Sequence, residues 1–347
     1  MNMTKKKEIV FIVNPISGTH SKDEVPSLIE ENLEKDHFDY QICFTEYAGH
    51  AAEIAKACAE RQTDIVVAVG GDGTVNEVAR SLTHSFTALG IIPCGSGNGL
   101  ARHLCIPLDI KKAIQIINAC KIETFDYGMI NELPFFCTCG MGFDAFISLK
   151  FAEAGKRGPI TYVENVLKEG LKYKPETYEV SDDTGKKRYK AFLIACANAS
   201  QYGNNAYIAP GATMKDGEMD VIIMEPFDAL EAPQIAADLF MKTITNNSKI
   251  KTFRTKSLHI KRKGPGAIHY DGDPIMTGEE IEVHIEHEGI RILTNPEVIE
   301  DSGQPNFLFN AFSDFFNNIN NVREDIGKTG HRILVINKVL LRKLSKI

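Results

Sequence analysis

An apolar run that ends in a glycine-rich turn constrains the fold of this chain more than any other stretch. Residues 65–69, Ile-Val-Val-Ala-Val, are short, β-branched and without alternation, which is typical of a buried parallel strand. Gly-Gly-Asp-Gly-Thr follows at residues 70–74, and residues 76–82 have a helical composition. This arrangement aims unpaired backbone N–H groups at an anion, and glycine allows close approach. We predict that the turn binds nucleotide phosphate, although a βα turn without a ligand has the same letters.

Three further apolar runs end in similar loops. The strands are residues 9–13, 40–44 and 89–92, and the loops are residues 14–18, 45–49 and 95–99. Helical patterns separate the strands. This alternation predicts an α/β domain with a doubly wound, mostly parallel sheet, in which the loops after the strands meet at one edge. Four loops at one edge indicate a binding site.

After about residue 125, strand-like runs alternate with turns. Residues 280–285 alternate strictly between polar and apolar, and Asp-Gly turns occur at residues 216–217 and 271–272. We predict a mainly antiparallel β domain with one helix at about residues 160–171, and a ligand cleft between the domains. Other predicted strands are residues 135–139, 189–196 and 219–224. The predicted domains are residues 1–128 and 129–295, followed by an extension at 296–347.

The extension has amphipathic helical patterns. Phenylalanine and leucine side chains share one helical face over residues 307–319, and residues 331–347 combine basic and apolar side chains without an acid. A basic amphipathic helix can lie on an anionic lipid surface. The alternative is that both segments dock on the protein or on a second subunit, as in a homodimer.

Composition limits the partners and the compartment. The formal net charge of −7 gives no indication of nucleic-acid binding. The eight cysteines are scattered and no secretory leader precedes them, which predicts reduced thiols in the cytoplasm. No apolar run has the 18 or so residues of a transmembrane segment. We therefore predict a cytoplasmic protein, peripheral at most at a membrane.

Taken together, the motifs resemble the diacylglycerol kinase catalytic-domain family, which includes soluble bacterial lipid kinases and the sphingosine and ceramide kinases. The resemblance covers about residues 5–295 and rests on the motif order rather than on any single motif. The motifs are Asn-Pro-Ile-Ser-Gly at 14–18, Gly-Gly-Asp-Gly-Thr at 70–74, Gly-Ser-Gly-Asn at 95–98, Asp-Gly at 216–217 and Asp-Gly-Asp at 271–273. The resemblance implies ATP in the cleft, Mg²⁺, transfer of a phosphoryl group to a lipid hydroxyl, and last strands that return to the first domain.

The predicted nucleotide site uses backbone groups rather than a Walker loop, whose motif is absent from the sequence. The N–H groups of residues 71–74 and 95–97 can hold phosphates, and the hydroxyls of Thr45, Thr74 and Ser96 add donors. The predicted nucleotide residues are Asn14, Pro15, Ser17, Gly18, Thr45, Gly70, Gly71, Asp72, Gly73, Thr74, Asn76, Glu77, Gly95, Ser96, Gly97 and Asn98.

Two acidic positions are candidates for metal binding. Asp72 would be repelled by a triphosphate, so we predict a link through Mg²⁺ or water, with simple turn geometry as the alternative. The resemblance implies a structural Mg²⁺ on Asp216 and on the main-chain oxygens at Thr213 and Glu218. A plain Asp-Gly hairpin explains the same letters.

The candidate catalytic base departs from the family pattern. The family has Asp-Gly-Glu, whose Glu is the proton acceptor, whereas this chain has Asp271-Gly272-Asp273. Asp273 is the matching candidate base, one methylene shorter, and a base must first reach its proton. Asp271 and Asp72 are the alternatives. A second departure is Gly99, where many bacterial members have an acid; this makes the turn similar to that of sphingoid-base kinases.

The sequence therefore predicts an ATP- and Mg²⁺-dependent lipid kinase. Diacylglycerol is the first expected acceptor, and a sphingoid base or ceramide is the second. An NAD kinase, which shares Gly-Gly-Asp-Gly-Thr, and a catalytically idle lipid-binding regulatory protein are the alternatives.

Overall fold

The first half of the chain is an α/β domain. The computed structural model describes residues 5–16, 24–154, 170, 173–228 and 230–297. The elements of this half are β1 (Lys7–Val13), α1 (Val25–Asn32), β2 (Phe38–Phe44), α2 (His50–Glu60), β3 (Ile65–Gly70), α3 (Asp72–Leu82), β4 (Ala88–Pro93), α4 (Gly99–His103) and α5 (Ile110–Ala119). The strands pair in parallel in the order β2-β1-β3-β4. The predicted α/β fold with a mostly parallel sheet is confirmed.

Helix α3 begins earlier than the sequence pattern predicts. Its first residue is Asp72, and Gly71 precedes it in an extended conformation as the N-cap. The glycine turn is therefore the first turn of the helix itself. An acidic residue at this position is favourable because it faces the positive end of the helix dipole.

The second half is built mainly of antiparallel strands. Its elements are β5 (Ile122–Ile130), β6 (Leu133–Phe135), β7 (Thr138–Gly142), α6 (Phe143–Ala154), β8 (Glu176–Asp182), β9 (Gly185–Ala191), β10 (Leu193–Ala197), β11 (Met219–Met224), α7 (Ala232–Phe240), β12 (Ile250–Thr255), β13 (Ser257–Lys261), β14 (Gly266–Tyr270), β15 (Asp273–Thr277) and β16 (Glu280–Leu293). A short 3₁₀ helix, Ile244–Asn246, precedes β12. The predicted antiparallel β domain is confirmed.

Within the described part of the chain, these strands form two sheets. One has the order β12-β11-β10-β7-β14-β15, and the other continues the first domain's sheet as β4-β16-β13-β8-β9, with β5 beside β16. Buried side chains from the two sheets, including Met141, Ile194, Val180 and Ile260, meet in one core. The second half is therefore a β sandwich.

Strand β16 joins the two halves. Its first part pairs with β13, and near its end Ile292 lies opposite Leu89 of β4. The register shifts between Glu286 and Ile290, where a bulge bends the strand. The return of the last strand to the first domain, which the resemblance implies, is present. Because β5 contains residue 128 and pairs with β16, the two halves share a sheet; the domain boundaries stay a prediction.

Two strand predictions in the second half were wrong in detail. The run at 135–139 divides into β6 and β7, and the run at 189–196 divides into β9 and β10. In each case the chain crosses from one sheet to the other. The strands that follow the crossings, β7 and β10, are buried on both faces, so no alternation marks where they begin.

In the second half, the described helices α6 and α7 were not predicted. Apolar residues occur on several sides of α6, so its sequence lacks a clear amphipathic period. The predicted helix at 160–171, apart from residue 170, and the amphipathic segments at 307–347 lie outside the described residues. Among the helices described, none is long and apolar enough to cross a bilayer.

The hairpin of β14 and β15 carries the Asp-Gly-Asp turn at one end and is braced by Arg262 at the other. Arg262 is buried and donates hydrogen bonds to the carbonyl oxygens of Gly266, Ala267, Thr277 and Gly278. Burial lowers the pKa of the Arg262 guanidinium. The guanidinium thus holds both strands of the hairpin together.

We predict that Arg262→Met lowers the free energy of unfolding by about 2–4 kcal/mol, because it leaves buried carbonyl oxygens without a donor. Lys263→Met is the matched control, since Lys263 is the exposed neighbour, and its effect should stay within about 0.5 kcal/mol. Urea unfolding of both variants measures the difference. Equal stabilities for the two variants would contradict the bracing role.

Candidate active site

The two glycine turns are in direct contact. They follow the paired strands β3 and β4, where Gly70 lies opposite Pro93. A Cβ atom on Gly95 would lie 2.6 Å from the Cα atom of Gly71. Glycine is therefore required at residue 95, since backbone cannot yield to a side chain there. The predicted meeting of these two loops at one sheet edge is present.

The carboxylate of Asp72 ties the two turns together. Its Oδ2 accepts a hydrogen bond from the N–H of Asn98 at 2.8 Å, and its Oδ1 accepts one from Gly99 at 2.7 Å. A Cβ atom on Gly97 would lie 2.6 Å from Asp72 Oδ2. Sequence reasoning missed this structural role, because it considered Asp72 only in relation to metal, phosphate and its own turn. The link to Mg²⁺ stays a prediction.

The side chain of Asn98 folds back onto its own turn. Its Nδ2 donates to the carbonyl oxygen of Gly95 at 2.7 Å, and its Oδ1 accepts from the N–H of Gly95 at 2.9 Å. The Gly95 N–H, predicted to face phosphate, is therefore engaged within the turn. Among the described residues, no acceptor pairs with the N–H groups of Ser96 and Gly97, and Ser96 is exposed. These two groups are the available donors of the second turn.

The first two strands bring their loops to the same edge. Asn14 Nδ2 donates to Thr74 Oγ1 at 3.1 Å, and Asn14 Oδ1 accepts from the N–H of Ile16. The N–H of Thr45 donates to the carbonyl oxygen of Val13 at 2.9 Å. Asn14 therefore contacts the first glycine turn through Thr74, whereas Pro15, next to Asn14, and Thr45, beside β1, lie at the same sheet edge. Ser17 and Gly18 lie outside the described residues.

Asn76 and Glu77 lie in the second turn of α3. Asn76 is buried, and Glu77 is partly buried, with its carbonyl oxygen accepting from Ser81 Oγ. Neither residue caps the helix, whose N-cap is Gly71. Their roles at the nucleotide stay predictions.

A loop of the second domain packs on the second glycine turn. The N–H of Asn204 and the Nε of Arg102 both donate to the carbonyl oxygen of Gly97, at 2.9 and 3.0 Å. Gly203 adopts φ +111°, and a Cβ atom there would lie 3.2 Å from Gly97 backbone atoms. The cleft between the domains is therefore closed at this point by backbone contacts.

His103, at the end of α4, makes the next contact between the domains. Its Nδ1 lies 3.0 Å from Ser200 Oγ and accepts from the N–H of Ser200 at 3.2 Å. Burial lowers the pKa of His103 to about 4. The imidazole is therefore neutral at pH 7, which is the form that can accept this hydrogen bond.

Asp271 is anchored by backbone hydrogen bonds. Its carboxylate accepts hydrogen bonds from the N–H groups of Phe136, Cys137 and Thr138 at 2.8, 2.7 and 3.1 Å. Burial raises the pKa of Asp271, while these donors and the charge of Arg80 act in the opposite direction. With its oxygens engaged, Asp271 fixes the turn against the start of β7.

Asp273 ends the same turn and begins strand β15. Its side chain is 50% exposed, and its Oδ2 lies 3.1 Å from Nη1 of Arg80 on α3. The Arg80 guanidinium lies over the ring of Tyr270, 4.5 Å from the centroid. The geometry thus distinguishes Asp273, whose side chain is half exposed, from the other two candidate bases, Asp271 and Asp72, whose carboxylate oxygens accept backbone hydrogen bonds.

Sequence reasoning missed Arg80 entirely, although a signal exists. Asp72, Asn76 and Arg80 are spaced four residues apart, so they form one polar ridge along α3. The helical pattern was considered only from residue 76, which separated Asp72 from the other two.

A buried polar cluster contacts the Asp-Gly-Asp turn through His269. Asp144 Oδ2 lies 3.0 Å from Nε2 of His269 and accepts from the hydroxyl of Tyr202 at 3.3 Å. The N–H of Gly272 points to Nδ1 of His269 at 3.4 Å. The cluster needs Gly140, because a Cβ there would lie 2.5 Å from Asp144 Oδ2. No local sequence pattern indicates this cluster, since its members are far apart in the chain.

Two of the predicted metal residues, Asp216 and Glu218, lie beside Arg254. Asp216 forms an ion pair with Arg254, whose guanidinium also lies 3.6 Å from Glu218 and 3.8 Å from Asp220. Within the described ranges, no group of three or more His, Cys, Asp or Glu side chains is placed to hold a metal ion. These side chains alone therefore do not fit a Mg²⁺ cage in this arrangement. The site on Thr213, Asp216 and Glu218 stays a prediction.

Both halves of the chain match models of known protein families. Residues 8–130 match the model of the "Diacylglycerol kinase catalytic domain", and residues 138–293 match the "YegS C-terminal NAD kinase beta sandwich-like domain". The chain belongs to the diacylglycerol kinase catalytic-domain family.

Individual relatives agree with this placement. A diacylglycerol kinase of Staphylococcus saprophyticus is 26% identical over 307 residues, covering 86% of this chain and 100% of the relative. A diacylglycerol kinase of Bacillus subtilis is 24% identical over 285 residues, covering 80% and 94%. The crystal structure of a diacylglycerol kinase from Bacillus anthracis has the same fold, with a TM-score of 0.67 and 21% identity, covering 85% of this chain and 100% of that one.

We predict that acid weakens the contact between α4 and the second domain. Because the folded chain holds His103 with a pKa of about 4 rather than the usual 6.5, the unfolded chain binds more protons between these pH values. Stability from this residue is therefore complete above pH 6.5 and falls as the pH drops to 4, by at most about 3 kcal/mol. Unfolding in urea at pH 7, 5.5 and 4 measures this slope.

His103→Asn is the control, because its amide oxygen can still accept from Ser200 but does not titrate in this range. This variant should lose the part of the slope that comes from His103. The same slope in both proteins would assign the pH dependence to other groups.

Proposed function

We propose that this chain is a lipid kinase that transfers the γ-phosphoryl group of ATP, with Mg²⁺, to the hydroxyl of diacylglycerol. The observation that best supports the proposal is the environment of the Asp273 side chain. This half-exposed carboxylate begins strand β15, on which Ile275 and Met276 are 40% and 58% exposed. A candidate base beside exposed apolar side chains at a sheet edge fits a lipid alcohol better than a polar acceptor.

The nucleotide phosphates fit the start of α3. The N–H groups of Asp72, Gly73 and Thr74 have no partner within the helix, and the helix dipole adds to their attraction for an anion. The N–H groups of Ser96 and Gly97 add donors from the second turn. A Cβ atom on Gly73 would meet nothing within 4 Å, so protein packing does not require glycine there. Close approach of a phosphate to the backbone would explain why residue 73 is glycine.

In the proposed reaction, Asp273 accepts the proton of the lipid hydroxyl. The hydroxyl oxygen then forms a bond to the γ-phosphorus, the bond from phosphorus to the β–γ bridging oxygen breaks, and ADP leaves with that electron pair. Mg²⁺, when bound with the nucleotide, neutralises charge on the phosphate oxygens. The protein supplies positioning by the glycine turns and proton acceptance by Asp273.

The choice of diacylglycerol over a sphingoid base rests on the relatives. A Cβ atom on Gly99 would lie 3.4 Å from the backbone of Tyr202 and Gly203, which is an ordinary van der Waals distance. Packing therefore does not require glycine at residue 99, and its similarity to sphingoid-base kinases keeps a sphingoid base as the second candidate acceptor. The relatives from Staphylococcus saprophyticus and Bacillus subtilis are named diacylglycerol kinases. We extend the proposal to action at a membrane surface from the cytoplasm; the homodimer stays a prediction.

The first experiment identifies the acceptor. The protein is incubated with γ-labelled ATP, Mg²⁺ and, separately, micelles of diacylglycerol, ceramide or sphingoid base, and with NAD in solution. We expect label on diacylglycerol and at least about 100-fold less turnover with Asp273→Asn, because the amide cannot accept the proton. Label on NAD alone, or no labelled acceptor, would contradict the proposal.

A second experiment tests the phosphate site. We expect Gly73→Ala to leave the free energy of unfolding unchanged or raise it by up to about 1 kcal/mol, since alanine favours the helix. ATP affinity should fall at least about 10-fold, because the new methyl group lies where the phosphate approaches. Gly264→Ala, which also has open space for a Cβ, is the control and should bind ATP normally. Titration calorimetry measures both variants, and normal binding by Gly73→Ala would place the phosphates elsewhere.

A further inference from the structure

We propose that Arg80 is a positioning residue for the candidate base, holding Oδ2 of Asp273 so that Oδ1 faces the acceptor hydroxyl. The inference rests on the proposed function and deepens it. It assigns a role to the Arg80 guanidinium, which belongs to none of the sequence motifs.

Arg80 contacts both ends of one turn. Its Nη1 lies 3.1 Å from Asp273 Oδ2, and its guanidinium plane lies 4.5 Å from the ring centroid of Tyr270. Tyr270 and Asp273 are opposite each other in the β14–β15 pairing. Because Arg80 belongs to α3, the helix that starts at the glycine turn, it links the base directly to the element that holds the phosphates.

The ion pair does not account for Arg80 as a stabilising contact. The Asp273 side chain is 50% exposed, and ion pairs of such exposure contribute little to stability. In the part of the chain that the structure describes, Nε and Nη2 of Arg80 are buried without a hydrogen-bond partner. A buried N–H donor without an acceptor loses its hydrogen bonds to water and gains none in return, which lowers the stability of the folded protein. Because Arg80 gains little stability here, its position is better explained by a function in the site.

Orientation of the Asp273 carboxylate is such a function. A catalytic base is commonly fixed by a third group, which leaves one atom free for the proton. Aspartate is one methylene shorter than the glutamate of the family pattern, so it has less freedom to find the hydroxyl on its own. With Oδ2 held by Arg80, the orientation of Oδ1 is set by the position of α3.

The test is a double-mutant cycle in kcat. Arg80→Met retains length and packing on Tyr270 but removes the donor. We expect it to lower kcat for diacylglycerol about 10- to 100-fold while KM for ATP changes less than about 3-fold, and Arg80→Lys should retain an intermediate kcat. In the Asp273→Asn background, Arg80→Met should leave the residual rate unchanged, because the group that Arg80 positions is already inactive.

Arg291→Met is the matched control, since Arg291 also stacks on an aromatic ring, that of Phe86, and donates to a backbone oxygen. It should retain wild-type kcat. The proposal is overturned if Arg80→Met leaves kcat unchanged, or if it lowers the rate by the same factor with and without Asp273.

Failure of the proposed function gives a different result. If the label goes to another acceptor, such as NAD, the proposed function fails, and the same double-mutant cycle in kcat with that acceptor still tests the positioning role. A loss of kcat with Arg80→Met that disappears in the Asp273→Asn background supports the role. An equal loss in both backgrounds, or no labelled acceptor at all, overturns it.

Discussion

The site depends on one carboxylate that receives two backbone N–H groups. Asp72 begins α3 and accepts from Asn98 and Gly99 at the start of α4, so it joins the loops after β3 and β4. The glycines at 71, 95 and 97 follow from this contact, because side chains there would meet backbone or the carboxylate itself. Without the bridge, each turn would be an ordinary βα connection. With it, the free N–H groups of both turns are held in fixed relation, as an anion site requires.

The second half of the protein contributes a hairpin that is fixed from several directions. Arg262 holds its open end, Asp271 anchors its turn to the start of β7, and His269 lies beneath the turn. Arg80 then connects the turn to α3. Asp273 remains half exposed among these constrained neighbours. The candidate base next to exposed apolar side chains and the candidate phosphate site are the two components on which the proposed lipid kinase activity rests.

The sequence predicts what depends on neighbours in the chain. The strands of the parallel sheet and both glycine turns are recognised from local apolar runs and turn residues, and the motif order identifies the family. What it does not predict depends on distant partners. Asp72 meets Asn98 across 26 residues, His269 meets Asp144 across 125, and Arg80 meets Asp273 across 193. The crossings at 136–137 and 192 were missed for a related reason. The strands that follow them, β7 and β10, are buried on both faces and show no alternation that marks a change of sheet.

The binding of ATP to Asp72→Asn, with and without Mg²⁺, tests the central claim most directly. If Asp72 holds the two glycine turns together, the variant binds both Mg²⁺-ATP and metal-free ATP more weakly, by at least about 10-fold, because an amide nitrogen cannot accept from a backbone N–H. If Asp72 acted only as a negative charge near the phosphates, its removal would tighten the binding of metal-free ATP. Unchanged or tighter binding of metal-free ATP would contradict the account.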